Sequence, residues 1–157
     1  MANSTIPRLC LHKGSILGVY RKVHPAINRS VYKPGSEVGV FTVGDLTFGV
    51  VICYDSNYPD LVRHLSDQGA TALFIPTKNG LPLNRAYSEL VSEARNVDIT
   101  NAVENKLWII RADVAGRTDE LMSIGSSEIV DPEGRIVVAA RELSEDLLVA
   151  DLPLGHR

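Results

Sequence analysis

The spacing of apolar and polar positions changes several times along the chain, and each change marks an element. SILGVYR at 15–21 follows the turn-forming His12-Lys13-Gly14, so it reads as a strand leaving a turn in an opening hairpin. VGVFTV at 38–43 alternates, and Gly44-Asp45 connects it tightly to LTFGVVICY at 46–54. That second run is apolar and β-branched, the pattern of a central strand covered on both faces. Ser56 or Asn57 can then cap a helix, Pro59 fits its first turn, Leu61, Val62 and Leu65 share one face, and Gly69 ends it. ATALFIP at 70–76 predicts another buried strand. A long helix follows over 83–105, with Ala86, Leu90, Ala94 and Val97 as its inward stripe. LWIIRADV at 107–114 reads as a strand, and 123–152 as a β-meander turning at Asp131-Pro132-Glu133-Gly134. Strands alternating with helices, then a strand-rich end, predict an α/β layered domain over 1–157.

Composition narrows the function classes. The chain has 157 residues, 45% of them apolar, which is enough for one buried core. The net charge of −3 and the absence of a basic stripe argue against a nucleic-acid partner. No apolar run approaches the roughly 20 residues of a membrane span. The segment MANSTIPRLC has no apolar core of signal-peptide length, so the reading is a cytoplasmic protein. Two cysteines, Cys10 and Cys53, make no disulfide framework, and four scattered histidines make no zinc site. The expectation is therefore neither metal nor cofactor.

Cys53 lies where a buried strand runs out before a helix. Ligand sites form at the carboxyl ends of such strands. The turn can present a side chain sharply, the amides beyond it can face an oxyanion, and a helix N-terminus favours thiolate. From position alone, a lone cysteine is more often a small core hydrophobe. Lys22, in Tyr20-Arg21-Lys22-Val23-His24, is either a solvated strand edge or a cation aimed at the cleft of Cys53. Glu104 is an exposed helical carboxylate or a site residue. Asp55 and Asp113 follow strands, so they line a cleft or cap a turn. Lys78-Asn79-Gly80 is a pocket rim or a simple turn, and Pro82-Leu83-Asn84-Arg85 is a candidate pocket wall. His24 and His64 read as hydrogen-bonded or surface histidines.

Taken in order, these segments resemble the nitrilase, or carbon–nitrogen hydrolase, superfamily. GVYRKVHP at 18–25 is similar to its lysine motif, and GVVICYDSNYPD at 49–60 to its cysteine motif. SEARNVDITNAVENKLWIIRADVAG at 92–116 resembles its helix-and-strand segment, and SSEIVDPEGRIV at 126–137 its late hairpin. The resemblance implies an α-β-β-α sandwich, commonly paired into a homodimer or higher oligomer. It implies hydrolysis of a small amide or nitrile by a Glu-Lys-Cys triad. Cys53 would be the nucleophile and Lys22 the lysine, with the Tyr54 amide at the oxyanion. Asp55, Asn79 and Glu104 complete the expected binding residues.

The chain also departs from the family pattern. The triad glutamate belongs to an N-terminal part, in a Pro-Glu context. The only Pro-Glu here is Pro132-Glu133, in the late turn. The stretch from Pro25 to Gly35 lacks the further glutamate that many members carry, and Asp113 stands where many have asparagine. The expectation is an N-terminally incomplete sandwich. Its function is then carbon–nitrogen hydrolysis or, as the alternative, assembly with a complete homologue.

Overall fold

A computed structural model describes residues 4–26, 31–82 and 87–153. The strands are β1 (Pro7–His12), β2 (Ser15–Arg21), β3 (Val40–Val43), β4 (Leu46–Val50), β5 (Ala72–Thr77), β6 (Gly80–Pro82), β7 (Trp108–Asp113), β8 (Ala115–Arg117), β9 (Leu121–Ile124), β10 (Glu128–Val130) and β11 (Ile136–Ala139). The helices are α1 (Pro59–Asp67) and α2 (Tyr87–Asn105), and a 3-10 turn spans Cys53–Asn57. The main sheet has the order β11-β10-β7-β5-β4-β3. Its centre, β4, β5 and β7, is parallel, and β3 and β10 add antiparallel neighbours.

Period-two alternation divides this sheet between two cores. On one face Val51, Leu73, Ile75, Ile109 and Val130 pack with Val62 and Leu65 of α1 and Ala102 of α2. On the other, Val50, Ile52, Phe48 and Phe74 meet Cys10 and Tyr20 of the β1–β2 hairpin. The layers thus run helix, sheet, hairpin, with the parallel strands buried on both sides as their apolar runs require. Gly49 permits the helix to sit close: a Cβ there would lie 2.8 Å from Leu65 Cδ1 and 3.2 Å from Leu73 Cδ1. No helix among the described residues is long and apolar enough to cross a membrane.

Two expectations need correction. The late segment is not one continuous meander. β9 leaves to join β6 and β8 in a separate three-stranded sheet, and no strand is formed from 140 to 153. That last stretch carries Glu142, Glu145 and Asp146 and leaves Leu147 83% exposed, so it has no buried face to pair. The second correction concerns α2. Ala86 and the side chain of Leu90 lie outside the described residues. Ala94 and Val97 face a cleft, and the residues α2 buries against the sheet include Asp98, Asn101 and Asn105 with Ala102. A helix buried through polar side chains shows no simple apolar stripe.

Candidate active site

The site begins where β4 ends. Val51 still donates to the carbonyl of Phe74 at 3.1 Å, and Ile52 remains extended, with φ −108° and ψ 111°. The chain then breaks sharply: Cys53 has φ +51°. For a residue with a Cβ this conformation costs about 1–2 kcal/mol, so surrounding contacts must hold it. Asp55 supplies several of them. Fully buried, its carboxylate accepts from Ile52 N at 3.2 Å, Tyr20 Oη at 2.8 Å and His24 N at 2.7 Å. The His24 ring stacks on Tyr58 with centroids 3.4 Å apart.

Lys22 enters the same knot from the end of β2. It is 4% exposed, its Nζ donates to the carbonyl of Ile52, and it lies 4.0 Å from Asp55 Oδ2. Burial lowers its pKa, against the attraction of Asp55 and of Cys53. The ammonium is therefore seated against the residue that precedes Cys53, within its electrostatic reach.

Beyond the thiol opens a cleft of about 380 Å³. Its apolar walls include Leu81, Val91, Ala94, Val97 and Ile124. Cys53 Sγ lies 3.7 Å from Asn79 Oδ1. Asp113 accepts from Asn79 N at 3.1 Å, Asn79 Nδ2 at 3.5 Å, Ser126 N at 3.2 Å and Ser126 Oγ at 2.8 Å, drawing two loops together beside the thiol. Among the described residues, no group of His, Cys, Asp and Glu side chains is placed to hold a metal ion.

A buried ionic network backs the cleft. Arg111, on β7, makes two 2.5 Å bonds to Asp98 on α2 and reaches Thr77 Oγ1 at 2.8 Å and Ser56 Oγ at 3.3 Å. Asn101 Nδ2 donates to the carbonyl of Ser56 at 2.9 Å. Glu128, 1% exposed, takes Arg95 Nε at 3.1 Å on one oxygen, and the charge of Asp98 acts on it. Two carboxyls in one dry site favour a shared proton. Burial, followed by the charge of Asp98, pushes Glu128 up to about 6 from 4.5.

That shift predicts a pH dependence. A carboxyl whose pKa rises on folding stabilises the fold most below its unfolded value. The contribution is lost as pH climbs through the folded value. The full effect is about 2 kcal/mol, and about 1 kcal/mol of it falls between pH 5 and pH 7.5. Glu128→Gln keeps the shape and removes the titration. Urea unfolding across that range should therefore show wild type losing stability relative to the variant as pH rises. Parallel curves would contradict the assignment.

These features can be set beside known proteins. The sequence profile of the carbon–nitrogen hydrolase family matches residues 9–156. The chain belongs to the carbon–nitrogen hydrolase family. It is 30% identical over 140 residues to a nitrilase of Pyrococcus abyssi, covering 88% of this chain and 50% of the relative. It is 30% identical over 145 residues to a 2-oxoglutaramate amidase of Bacillus subtilis, covering 90% and 53%. Among solved structures it superposes with a TM-score of 0.71 on an amidase from Nesterenkonia sp. AN1, at 26% identity, covering 89% of this chain and 53% of that one. That structure is of a mutant in which acrylamide has undergone Michael addition at the active-site cysteine. The chain thus spans about half the length of the relatives it matches.

Of the residues expected to form the family's site, Cys53, Tyr54 and Asn79 line the cleft. Lys22 and Asp55 lie directly beneath it. Glu104 does not join them: it is exposed and lines a shallow depression with Arg63, Asp67 and Lys106. It occupies a solvent-facing position of α2, while Asn101 and Asn105 hold the inward ones. Arg85 lies outside the described residues. Ser56, Arg111, Asp98 and Glu128 were not anticipated. Their available signal was a lone arginine inside the apolar run LWIIRADV, which demands a buried anion.

Proposed function

We propose that the chain carries the nucleophile half of an amidase, with Cys53 attacking a small carboxamide. What carries this reading is the convergence of Cys53, in its strained turn on the wall of an apolar cleft, with the buried Lys22 ammonium seated on the carbonyl of the preceding residue. The thiolate Sγ adds to the carbonyl carbon, and the π pair moves to oxygen, which the Lys22 charge and the Tyr54 amide favour. The carbon–nitrogen bond then breaks. Ammonia leaves with the proton that a base took from the thiol, and water hydrolyses the thioester to acid and free thiol.

The base is the missing part of this reading. Among the described residues, the carboxylates lining the cleft are Glu93 and Asp113. Glu93 is exposed, and Asp113 is committed to four donors. The chain spans about half of its relatives' length, and the family resemblance puts the triad glutamate, the base of this reading, in the half it does not span. A reducing cytoplasm suits a reactive thiol, and two or more copies would pair, as the family resemblance implies. The substrate class follows the amidase relatives and the cleft's small apolar walls.

Incubation with butyramide, with ammonia assay and intact-mass measurement, tests the proposal. The expected result is an acyl adduct on Cys53, absent from Cys53→Ala, with turnover appearing only when the remaining half of a homologous fold is supplied. Ammonia release that survives Cys53→Ala would sink it. If no adduct forms even with that half supplied, the alternative stands, in which the chain serves as an assembly partner.

A further inference from the structure

Asn79 is held in one orientation. The Asp113 carboxylate accepts hydrogen bonds and donates none. It already gathers Asn79 N, Ser126 N and Ser126 Oγ, at 3.1, 3.2 and 2.8 Å. The remaining group facing it from Asn79 is therefore the NH₂ end, at 3.5 Å, and the carbonyl end faces Cys53 Sγ at 3.7 Å. In the resting state the thiol S–H satisfies that oxygen. Once the proton has left sulfur, the oxygen faces a thiolate and needs another donor. Asn79 is half-buried on the cleft wall, so that oxygen is open to a donor brought by a bound molecule.

We infer that Asp113 and Asn79 together make this cleft selective for substrates that bring an N–H group beside Cys53, primary carboxamides above all, over nitriles and N,N-disubstituted amides. Asn79 Oδ1 receives the amide N–H of the molecule bound beside Cys53, whose sulfur faces the reacting carbon. Asp113 is a positioning residue: its oxygens are committed to four donors, and it acts by preventing the Asn79 amide from turning. The inference rests on Cys53 as the reactive thiol and deepens that reading.

Alkylation tests it without requiring turnover, since a Michael acceptor needs no leaving group. Sulfur adds to the β-carbon of the reagent, and the α-carbon takes a proton from water. Acrylamide carries the N–H group; N,N-dimethylacrylamide lacks it. Rates at Cys53, read by peptide mass spectrometry, are normalised to those of a small free thiol. Wild type should favour acrylamide by on the order of tenfold beyond the free thiol, the effect of one well-placed hydrogen bond. Asp113→Asn and Asn79→Ala should each bring that ratio down severalfold. A purely structural disturbance would slow both reagents alike and leave the ratio unchanged.

A wild-type ratio equal to that of the free thiol, or one unchanged in both variants, would overturn the inference and leave Cys53 standing as a nucleophile. Failure of either reagent to modify Cys53 in the folded protein would remove the nucleophile reading, and this inference with it.

Discussion

Replacing Lys22 with methionine should slow acylation of Cys53 by ~10²–10³-fold, the usual effect of removing one preorganised oxyanion donor. Methionine keeps most of the buried stem and removes the charge together with its bond to the Ile52 carbonyl, so the hairpin should remain packed. The measurement is the initial release of nitrophenolate from p-nitrophenyl acetate, in which sulfur displaces a good leaving group that needs no protonation. Lys22→Arg should not restore the rate. The site is 4% exposed, and Nζ sits on a single carbonyl with Asp55 at 4.0 Å. A planar guanidinium with five donors does not fit that geometry. An unchanged burst in Lys22→Met, with Cys53 still the acylated residue, would show that the ammonium only ties β2 to the turn.

The hairpin, the first helix and the parallel centre of the sheet were legible because spacing, turn residues and continuous apolar runs mark them. SILGVYR predicts a strand over 15–21, and β2 is Ser15–Arg21. Pro59 and Gly69 bracket the first helix, and α1 runs from Pro59 to Asp67, with Gly69 beyond it at φ +90°. The run 46–54 holds a subtler lesson. Its strand ends at Val50, and Cys53 belongs to the turn rather than to the strand. Apolar character continues through Ile52 because the turn itself is buried, so composition alone cannot mark where extension stops.

Long-range polar pairing is harder to read. The Asp55 carboxylate draws in donors more than 30 positions away in sequence, Tyr20 and His24. Nothing local in Ile52-Cys53-Tyr54-Asp55 indicates which donors will arrive. Asp113 shows the same limit. Its position after a strand indicated a cleft or a cap, but its four donors come from Asn79 and Ser126, on separate loops.

Breaking the Arg111–Asp98 pair should destabilise the fold severely. Both side chains are nearly inaccessible, at 3% and 0% exposure, and are joined by two bonds of 2.5 Å. Burial pulls the guanidinium's pKa down, but the hydrogen bonds and charge of Asp98 outweigh it, so the arginine stays ionised. Asp98→Leu would leave that cation in a dry interior, at an expected cost of about 3–5 kcal/mol. Glu128 cannot take over fully, because Arg95 already holds one of its oxygens at 3.1 Å. Arg111→Met removes the opposite partner. It strands Asp98 beside Glu128, and the two carboxyls can relieve themselves by taking up a proton. Arg111→Met should therefore be the milder change, and milder still at pH 5 than at pH 7.5. The double replacement Asp98→Leu with Arg111→Met removes both charges and should recover much of the loss, since replacing a buried pair by apolar groups of similar volume is often neutral or stabilising. Urea unfolding of the four proteins at both pH values decides the matter. Additive losses would mean that the two residues act through separate contacts and that no buried pair braces α2 against β7 behind the cleft.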